Sequence, residues 1–476
     1  MDEQLYCEAM TDNAYTKQPN DATQNIGNGS YSTADPYVKK VWDGRYTGIR
    51  MCNELLENID RVPDLDPELK KRYIGEAKVL RAYNYYELYT KFGDVPYTTK
   101  VLSIKESMSI ARTAKATVIA NVLADLDEVI NGNYLPTSYD ADNKGRITRW
   151  AAMAIKAKIY LFEGNWTQVK NITSTIMTEG GFKLFESYAG LFEIANEYNS
   201  EVILDAQYRP TSREHQMMYV FLPPTLGGYS QLSPLQELVD SYIMLDGKTI
   251  KETGTSFDES HPYANRDPRL KATVMYTGNS YTLADGTEVV INCEKGEGKD
   301  GYGVGSDCSA TGYYIKKYWD NTYRATLYSG LNPILIRYAD ILLMNAEALA
   351  ELGELDKTAW DATIKPIRDR AGFTLASALE FPEGASKDKL IEIVRNERRS
   401  ELALEGHRHK DIIRWRIADN VLNGWCHGLK TNDVVGTDDG YVRVENRTFN
   451  ANRHYLWPIP QAERDLNGNL EQNPNW

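Results

Sequence analysis

A chain of 476 residues with 54 lysines and arginines against 67 aspartates and glutamates carries a formal net charge of −13. That balance argues against a general nucleic-acid binder, which needs cations to displace phosphate counterions, and against adsorption to anionic lipid. No stretch approaches the roughly 18 apolar residues of a membrane-spanning helix. The 32 tyrosines outnumber the 10 phenylalanines, which suits wet, aromatic-lined surfaces such as sugar sites as well as the rim of a helical core.

Helical periodicity dominates the N-terminal part of the chain, residues 1–182. In "YIGEAKVLRAYNYYELYTKFGD" one helix face recurs every three to four residues, and Gly93 is expected to end the helix. The predicted face consists of Ile74, Ala77, Arg81, Tyr85, Leu88 and Phe92. A guanidinium on an apolar face needs a carboxylate partner, so Arg81 predicts an ion pair. "RWAAMAIKAKIYLFEGNW" predicts another helix with a face of small residues.

The sequence pattern changes from helical periodicity to short strands and loops in the middle part, residues 183–333. "EVILDAQY", "EVVINC" and "GYYIKKYW" predict short strands separated by long connections rich in Gly, Pro, Ser and Thr. Long ordered loops on a rigid scaffold often carry function, so this part is the predicted ligand-binding region. Cys293 and Cys308 lie around a Gly-rich loop and could form one disulfide, whereas the other cysteines are expected to be free.

The C-terminal part, residues 334–476, is again predicted to be helical. "NPILIRYADILLMNAEALAELG" predicts a helix with a face that runs from Leu335 to Leu349, and "KTAWDATIKPIRDRAG" predicts a second. A helix, a short Gly-containing turn and a helix with small contact residues are typical of tetratricopeptide-type pairs. We therefore expect a mainly α fold in which degenerate pairs of this kind form a scaffold, and we expect the three parts to form one intertwined globular unit.

Sequence motifs for catalysis and cofactors are weak. "GEGKDG" spells a dinucleotide fingerprint, but no helical period follows it, so it predicts a hairpin tip. Ser386 in "SKDK" is best explained as a helix N-cap. His407 and His409 are two residues apart and would point to different faces of a helix. We therefore expect no catalytic residue, no metal and no cofactor, although a glycoside hydrolase needs only two placed carboxylates and stays open.

The arginines of "IVRNERRSELALEGHRHKDIIRWR" stand among acidic residues. Between Glu392 and Arg416 there are seven basic and five acidic residues, and Arg398 stands three residues before Glu401. This pattern predicts paired charges and not a phosphate-binding surface. We interpret the arginines as structural clamps between helices.

The same segment, in "NERRSELALEGHRHKDIIRW", resembles the C-terminal signature of the SusD/RagB family. The resemblance continues in "IRYADILLMNAEALAELG", "IRDRAGF", "LWPIPQAERDLNGNLEQNPNW" and "GEAKVLRAYNYYELYTKFGDVPY". It also covers "PLQELVDSYIMLDGK" and "NRDPRL", so that it spans residues 75 to 476. One departure is His409, which stands where the family usually has an aromatic residue.

This resemblance implies a SusD-like fold, in which tetratricopeptide-like pairs support a loop-rich, minor-β ligand-binding region. It implies a surface lipoprotein of the Bacteroidetes outer membrane that binds an oligo- or polysaccharide and works with a SusC-type TonB-dependent transporter, without catalysis. The signal peptide and lipidated cysteine of such proteins are not in this sequence, and Met1 could be an introduced start. Contact with a membrane is therefore expected only through a lipid anchor.

The resemblance transfers no ligand residue, so candidates come from the aromatic, amide and carboxylate groups that sugar recognition needs. These groups are most concentrated in "TGYYIKKYWDNTYRATLY", where Trp319 is followed by Asp320 and Asn321. Trp319 is the predicted stacking platform, with packing of the loops onto the helices as the alternative. Further candidates, each of which also fits a core or rim position, are Tyr314, Tyr302, Tyr229 and Tyr97.

Two other functions stay open from the sequence. A helical-repeat adaptor would bind only protein and would leave the tyrosine-rich middle part unexplained. A glycan-processing enzyme would release new reducing ends. The nutrient itself could also be a peptide and not a glycan.

Overall fold

The computed structural model describes residues 2–17, 23–322 and 327–476. The fold is mainly α, as predicted. Its helices in chain order are α1 Asp2–Tyr6, α2 Thr23–Asn28, α3 Pro36–Asn58, α4 Pro67–Phe92, α5 Ile104–Ser107, α6 Lys115–Asn131, α7 Arg149–Phe162, α8 Trp166–Glu179, α9 Met217–Phe221, α10 Gln236–Ser241, α11 Pro268–Thr273, α12 Tyr338–Leu352, α13 Lys357–Ala362, α14 Ile364–Ala371, α15 Ala376–Leu379, α16 Lys387–Glu401, α17 Arg408–Arg414, α18 Ala418–Val421 and α19 Gln461–Leu466.

The strands form small antiparallel sheets. They are β1 Ala14–Thr16, β2 Val202–Asp205, β3 Leu232–Pro234, β4 Val274–Met275, β5 Ser280–Thr282, β6 Glu288–Val290, β7 Tyr314–Ile315, β8 Ile334–Arg337, β9 Gly424–Lys430, β10 Thr437–Asp438 and β11 Tyr441–Arg447. β1 pairs with β3, β2 with β8, β4 with β7 and β5 with β6, and β11 lies between β10 and β9. The strands predicted from "EVILDAQY", "EVVINC" and "GYYIKKYW" are confirmed as β2, β6 and β7.

The chain divides into two compact units. Unit 1 contains residues 1–28, 181–412 and 420–448, and unit 2 contains residues 29–180, 413–419 and 449–476. Residues 334–476, which the sequence groups as one helical part, thus contribute to both units. The expectation of one intertwined globular unit stays a prediction.

Unit 2 is built from the long helices α3, α4, α6, α7 and α8. Asp66 caps α4 by accepting from the backbone N–H of Leu69 at 2.8 Å, and Gly93 ends it with a φ of 71°. The predicted face is buried from Ala77 to Phe92. Arg81 of this face donates to Asp125 of α6 at 2.6 Å, which confirms the predicted ion pair. The guanidinium thereby connects two helices.

Two arginines of the C-terminal signature, Arg398 and Arg408, are buried in unit 1. Arg398 of α16 donates to Asp340 of α12 at 2.6 Å and to Asp411 of α17 at 2.9 Å. Arg408 of α17 donates to Asp12 at 2.8 Å. These contacts join segments that are distant in the sequence. The interpretation of the arginines as structural clamps is therefore confirmed.

Two local expectations were wrong, and one open question is answered. The segment from Ile334 to Arg337 is strand β8 and not helix, because it pairs with β2, and this long-range pairing overrides the local pattern. The second predicted helix is broken at Thr363, since Pro366 lacks the N–H that would bond to the carbonyl of Ala362. The disulfide between Cys293 and Cys308 that the sequence left open is not formed: both are buried free thiols, and Cys308 donates to the carbonyl oxygen of Lys299 at 3.3 Å.

No helix follows "GEGKDG" in the described chain before Tyr338. The segment lies in the loop between β6 and β7, which pair with β5 and β4 and not with each other. Ser386 is the N-cap of α16 and accepts from the backbone N–H of Lys389 at 3.2 Å. Within the described ranges, none of the helices combines the length and the apolarity that crossing a membrane requires.

Candidate functional site

A cleft in unit 1 has a volume of about 1250 Å³. Its walls come from residues 257–264, the turn at 271–279, the loop at 292–297 and the hairpin of β9 and β11 at 429–433 and 441. We call it the tyrosine cleft, after Tyr263, Tyr276, Tyr313 and Tyr441 in its lining. The cleft is large enough for several sugar rings, since small-molecule sites occupy about 300–1,000 Å³.

A stacked pair of tyrosines forms the aromatic surface of the cleft. The ring centroids of Tyr263 and Tyr276 lie 4.0 Å apart with an angle of 18° between the planes. Tyr313 meets Tyr263 edge-on and donates to the side-chain oxygen of Gln236 at 2.5 Å. The hydroxyls of Tyr263 and Tyr313 are 3.2 Å apart. This hydrogen-bonded support holds the stacked rings in one orientation.

Neighbouring backbone contacts position these rings. Arg266 donates to the carbonyl oxygens of Val239 at 2.6 Å and Tyr242 at 2.7 Å, which fixes the loop that carries Tyr263. Tyr276 directly follows β4. The turn after it is closed by Asn279, whose side chain donates to the carbonyl oxygen of Lys271 at 2.9 Å.

The tyrosine hydroxyls in the cleft keep their protons at neutral pH. Burial raises the pKa of Tyr263 and that of Tyr276 above their ordinary values. A protonated phenol can donate one hydrogen bond and accept others. Both rings are half-buried, so each combines an accessible aromatic surface with a polar tip.

Ion pairs and amides surround the aromatic surface. Lys430 of β9 bonds to Glu259 at 2.8 Å, and Lys295 pairs with Asp433. These two pairs connect different walls of the cleft. The exposed residues Asn292 and Asn432 add amide groups to the lining. The cleft thus offers aromatic faces together with directional donors and acceptors.

Within residues 2–17, 23–322 and 327–476 there is no group of three or more His, Cys, Asp or Glu side chains placed to hold a metal ion. The rings, amides and hydroxyls that line the cleft can stack on a ligand and hydrogen-bond to it.

The structure places Trp319, Asp320 and Tyr314 in supporting roles. The indole N–H of Trp319 donates to the carbonyl oxygen of Thr282 at 2.8 Å, and its ring packs against the core of unit 1. Asp320 is 2% exposed and accepts from Ser329 at 2.6 Å. Tyr314 is fully buried, with its hydroxyl bonded to the carbonyl oxygen of Asp300, so its ring is not accessible to a ligand.

The remaining candidates are dispersed. Asn321 is exposed, and Tyr302 is half-buried against the core. Tyr229 packs on Tyr219 with ring centroids 4.2 Å apart, while Tyr97 lies in unit 2. None of the predicted residues lines the tyrosine cleft. Residues 323–326 of the tyrosine-rich stretch lie outside the described residues.

Sequence reasoning missed the rings that do line the cleft. Tyr313 directly precedes the predicted Tyr314, and the alternation of side chains along a strand would have separated the two. Tyr263 stands two residues before "NRDPRL", a motif that carries part of the family resemblance and indicates no ligand. No local signal connects it to Tyr276.

Comparisons with known proteins agree with this fold. The SusD family model matches residues 190–476, and a second model, described as starch-binding associating with outer membrane, matches residues 1–161. A SusD-like protein, P25, of Formosa agariphila is 28% identical over an alignment 439 residues long, which covers 85% of this chain and 77% of that protein.

Solved structures give the same result. A SusD-like carbohydrate binding protein from Bacteroides fragilis superposes with a TM-score of 0.88 and 28% identity, over 98% of this chain and 92% of that one. A second SusD-like protein of the same organism gives a TM-score of 0.85 and 28% identity, over 100% of this chain and 94% of that one. The matched signature, the helical scaffold and these likenesses lead to one conclusion: the chain belongs to the SusD family.

Proposed function

We propose that this protein binds an oligo- or polysaccharide in the tyrosine cleft and delivers it to a SusC-type TonB-dependent transporter at the surface of the outer membrane. The stacked pair of Tyr263 and Tyr276 carries the proposal. The two rings are stacked face to face, so the outer face of the pair is the platform that we propose for the C–H side of a pyranose, and the amides beside it are suited to its hydroxyls.

The comparisons support the same class of ligand. One related structure of the family is that of a carbohydrate binding protein, and the model that matches residues 1–161 is described as starch-binding. The negative charge of the chain favours a neutral ligand over an anionic one, because like charges repel at long range. We therefore propose a neutral glycan.

Replacement of Tyr276 tests the site. Tyr276→Ala should weaken glycan binding about tenfold or more, since loss of one stacking contact costs roughly 1–3 kcal/mol. The measurement is native electrophoresis through gels cast with starch, laminarin, xylan or galactomannan, where binding retards the protein. Tyr276→Phe should keep most of the retardation, because it keeps the ring.

A matched control separates the cleft from general surface effects. Tyr328 is an exposed tyrosine of unit 1 that does not line the cleft, so Tyr328→Ala should migrate like the unchanged protein. Equal retardation of Tyr276→Ala and the unchanged protein would contradict the site. If no polysaccharide retards the unchanged protein, a peptide or a protein partner becomes the better hypothesis.

Binding without catalysis is part of the proposal. The cleft contains Glu259, Glu294, Glu297 and Asp433, but two of these carboxylates are occupied in ion pairs with lysines. Incubation with a retarding polysaccharide should release no new reducing ends. Their steady release, lost in Glu294→Gln or Glu297→Gln, would instead indicate a glycoside hydrolase.

Delivery to a transporter has its own test. Coexpression with a SusC-type transporter, followed by purification through a tag on this protein, should recover both chains together. Elution of this protein alone, with glycan binding intact, would contradict the delivery step and leave the binding step standing.

A further inference from the structure

A second cleft of about 420 Å³ lies in unit 1. It shares two walls with the tyrosine cleft. Helix α10 contributes Gln236 to the tyrosine cleft and Asp240 and Ser241 to the second one. Strand β9 contributes Lys430 at one end and Trp425 near the other. We call this second cavity the Trp425 cleft.

Trp425 is unusual among the tryptophans of this chain because its side chain is 44% exposed, whereas the other eight are buried or half-buried. Large aromatic side chains usually lie mostly inside a protein. The strand that carries Trp425 begins at Gly424, whose φ of 94° favours glycine. An accessible indole beside a polar cavity is a surface on which a sugar ring can stack.

The indole is held in place by a neighbouring strand. The guanidinium carbon of Arg443, on β11, lies 5.6 Å from the centre of the Trp425 ring. Arg443 is itself bonded to Asp438 at 2.9 Å through Nε. A cation near an aromatic ring attracts it by about 0.5–1 kcal/mol at an exposed site, which favours this orientation of the indole.

The formal charges of the residues that line the Trp425 cleft sum to zero. Three acidic and three basic residues contribute to the lining, namely Asp12, Glu237, Asp240, Lys251, Arg399 and Arg447. Asp12 pairs with Arg399 at 2.9 Å, and Glu237 pairs with His427 at 2.8 Å. The charged groups are thus compensated within the protein. An ionic ligand would have to compete with these pairs, whereas a neutral one would not.

Amide side chains supply the directional contacts. Asn396, Asn420 and Asn423 line the cleft together with Ser241 and Thr249. Asn396 is oriented by its hydrogen bond to the carbonyl oxygen of Ser241 at 3.0 Å. Amides and hydroxyls can both donate to and accept from the hydroxyls of a sugar. An indole, amides and compensated charges are a combination suited to a neutral saccharide.

We infer that the Trp425 cleft is a second saccharide-binding subsite, in which Trp425 stacks on a neutral sugar ring and the asparagines bond to its hydroxyls. This inference rests on the proposed glycan-binding function. A polysaccharide held at both clefts binds more tightly than a short fragment held at one, because the second contact is intramolecular.

The test is oxidation of exposed indoles by N-bromosuccinimide, read by peptide mass spectrometry, with and without a polysaccharide that retards the protein. Trp425 should be protected by starch, laminarin, xylan or galactomannan, whichever causes retardation. The protection should persist, at higher polysaccharide concentration, in Tyr276→Ala, where the tyrosine cleft is weakened. Because the protection of Trp425 is first measured on the unchanged protein, this result does not depend on whether a variant folds.

Variants of Trp425 give an independent readout. Trp425→Ala should lower affinity for the polysaccharide about tenfold or more, while calorimetry with a short fragment of the same polymer shows the stoichiometry falling from two sites to one. Trp425→Phe should restore part of the affinity. Circular dichroism should match the unchanged protein, because the side chain is exposed.

The outcomes distinguish this inference from the proposed function. Retardation without protection of Trp425 would overturn the second subsite and leave the function of the tyrosine cleft standing. Protection of Trp425 that disappears entirely in Tyr276→Ala at saturating polysaccharide would also overturn it, since the two clefts would not bind separately. Absence of retardation by every polysaccharide would overturn both.

Discussion

At the scale of single residues, Glu401 is the centre of the buried charge network in unit 1. Its carboxylate contacts Arg337 at 2.6 Å, Arg269 at 2.8 Å and also Arg370. Burial raises the pKa of this carboxyl, but the three guanidiniums outweigh it, so its pKa lies below the ordinary value. Glu401 therefore stays ionised in the folded protein. Its charge compensates arginines that have no access to water.

Neutralising Glu401 should be strongly destabilising. We expect Glu401→Gln to lower the free energy of unfolding by about 3–5 kcal/mol, the usual loss when one partner of a buried ion pair is removed. Urea unfolding measures it. The control is Glu392→Gln on the same helix, whose side chain is 62% exposed and should cost about 0.5 kcal/mol or less. Equal losses of stability in Glu401→Gln and Glu392→Gln would contradict the role of Glu401 in holding the buried arginines.

Glu8 couples folding to pH. Its side chain accepts from Asn13 at 2.9 Å and from the backbone N–H of Gly406 at 2.7 Å. Burial raises the pKa of the Glu8 carboxyl from 4.5 to about 7, despite these hydrogen bonds. Between pH 4.5 and 7 the folded state thus binds more protons than the unfolded state. The contribution of Glu8 to stability is greatest below pH 4.5 and falls as the pH rises to 7.

Glu8→Gln should remove this dependence. Between pH 4.5 and 7.5, the free energy of unfolding of the variant should rise relative to that of the unchanged protein by up to about 3 kcal/mol. Denaturant titrations at several pH values measure the difference. Glu392→Gln should instead give a curve parallel to that of the unchanged protein. A constant offset for Glu8→Gln would show that Glu8 does not titrate in this range.

At the scale of elements, glycines end several helices, but their backbone conformations differ. Gly93 after α4 has φ 71° and ψ −118°, a region open to almost no other residue. Gly353 after α12 has φ 73° and ψ 25°, the left-handed helical region that Asn also tolerates. A Cβ at Gly93 would lie 3.3 Å from Leu456, while one at Gly353 would meet nothing within 4 Å.

These differences predict different costs of substitution. Gly93→Ala should destabilise by about 2–3 kcal/mol through backbone strain and the contact with Leu456. Gly353→Ala should cost about 1 kcal/mol, and Gly353→Asn less than that. Thermal and urea unfolding of the three variants gives the order. If Gly353→Ala and Gly93→Ala lowered the stability equally, the difference in ψ between the two glycines would not determine the cost of substitution.

At the scale of the whole molecule, the net charge of −13 coexists with many arginines. In unit 1 most signature arginines are enclosed with carboxylates, as Arg398 and Arg408 show. They therefore add little positive potential to the surface. The charge that a polyanion would meet is predominantly negative.

The protein should therefore not bind polyanions. At pH 7.4 and low salt we expect it to pass through a heparin column without retention, because it offers no excess of exposed cations to release counterions. Elution in the flow-through is the readout, with a basic protein of similar size as the column control. Retention that disappears with added salt would reveal an exposed basic surface and reopen nucleic acid as a ligand.

Short-range features of the structure followed from the sequence. Gly93 and Ser386 act at the helix ends where local rules place them. The buried face of α4 follows from its period, and Arg81 required a carboxylate that turned out to be Asp125. These predictions succeed because capping and periodicity depend on residues within one or two helical turns.

The candidate site depended on contacts that the sequence does not encode locally. β8 became a strand only through its pairing with β2, and Tyr313 and Tyr314 differ in role because the pairing of β7 with β4 orients that strand. The tyrosine cleft joins Gln236, Tyr263 and Tyr441. Local patterns were enough to predict the buried face of α4, the helix ends at Gly93 and Ser386 and the need for paired arginines. Which tyrosines meet depends on tertiary contacts, because long-range packing selects one pairing among many that satisfy the same local pattern.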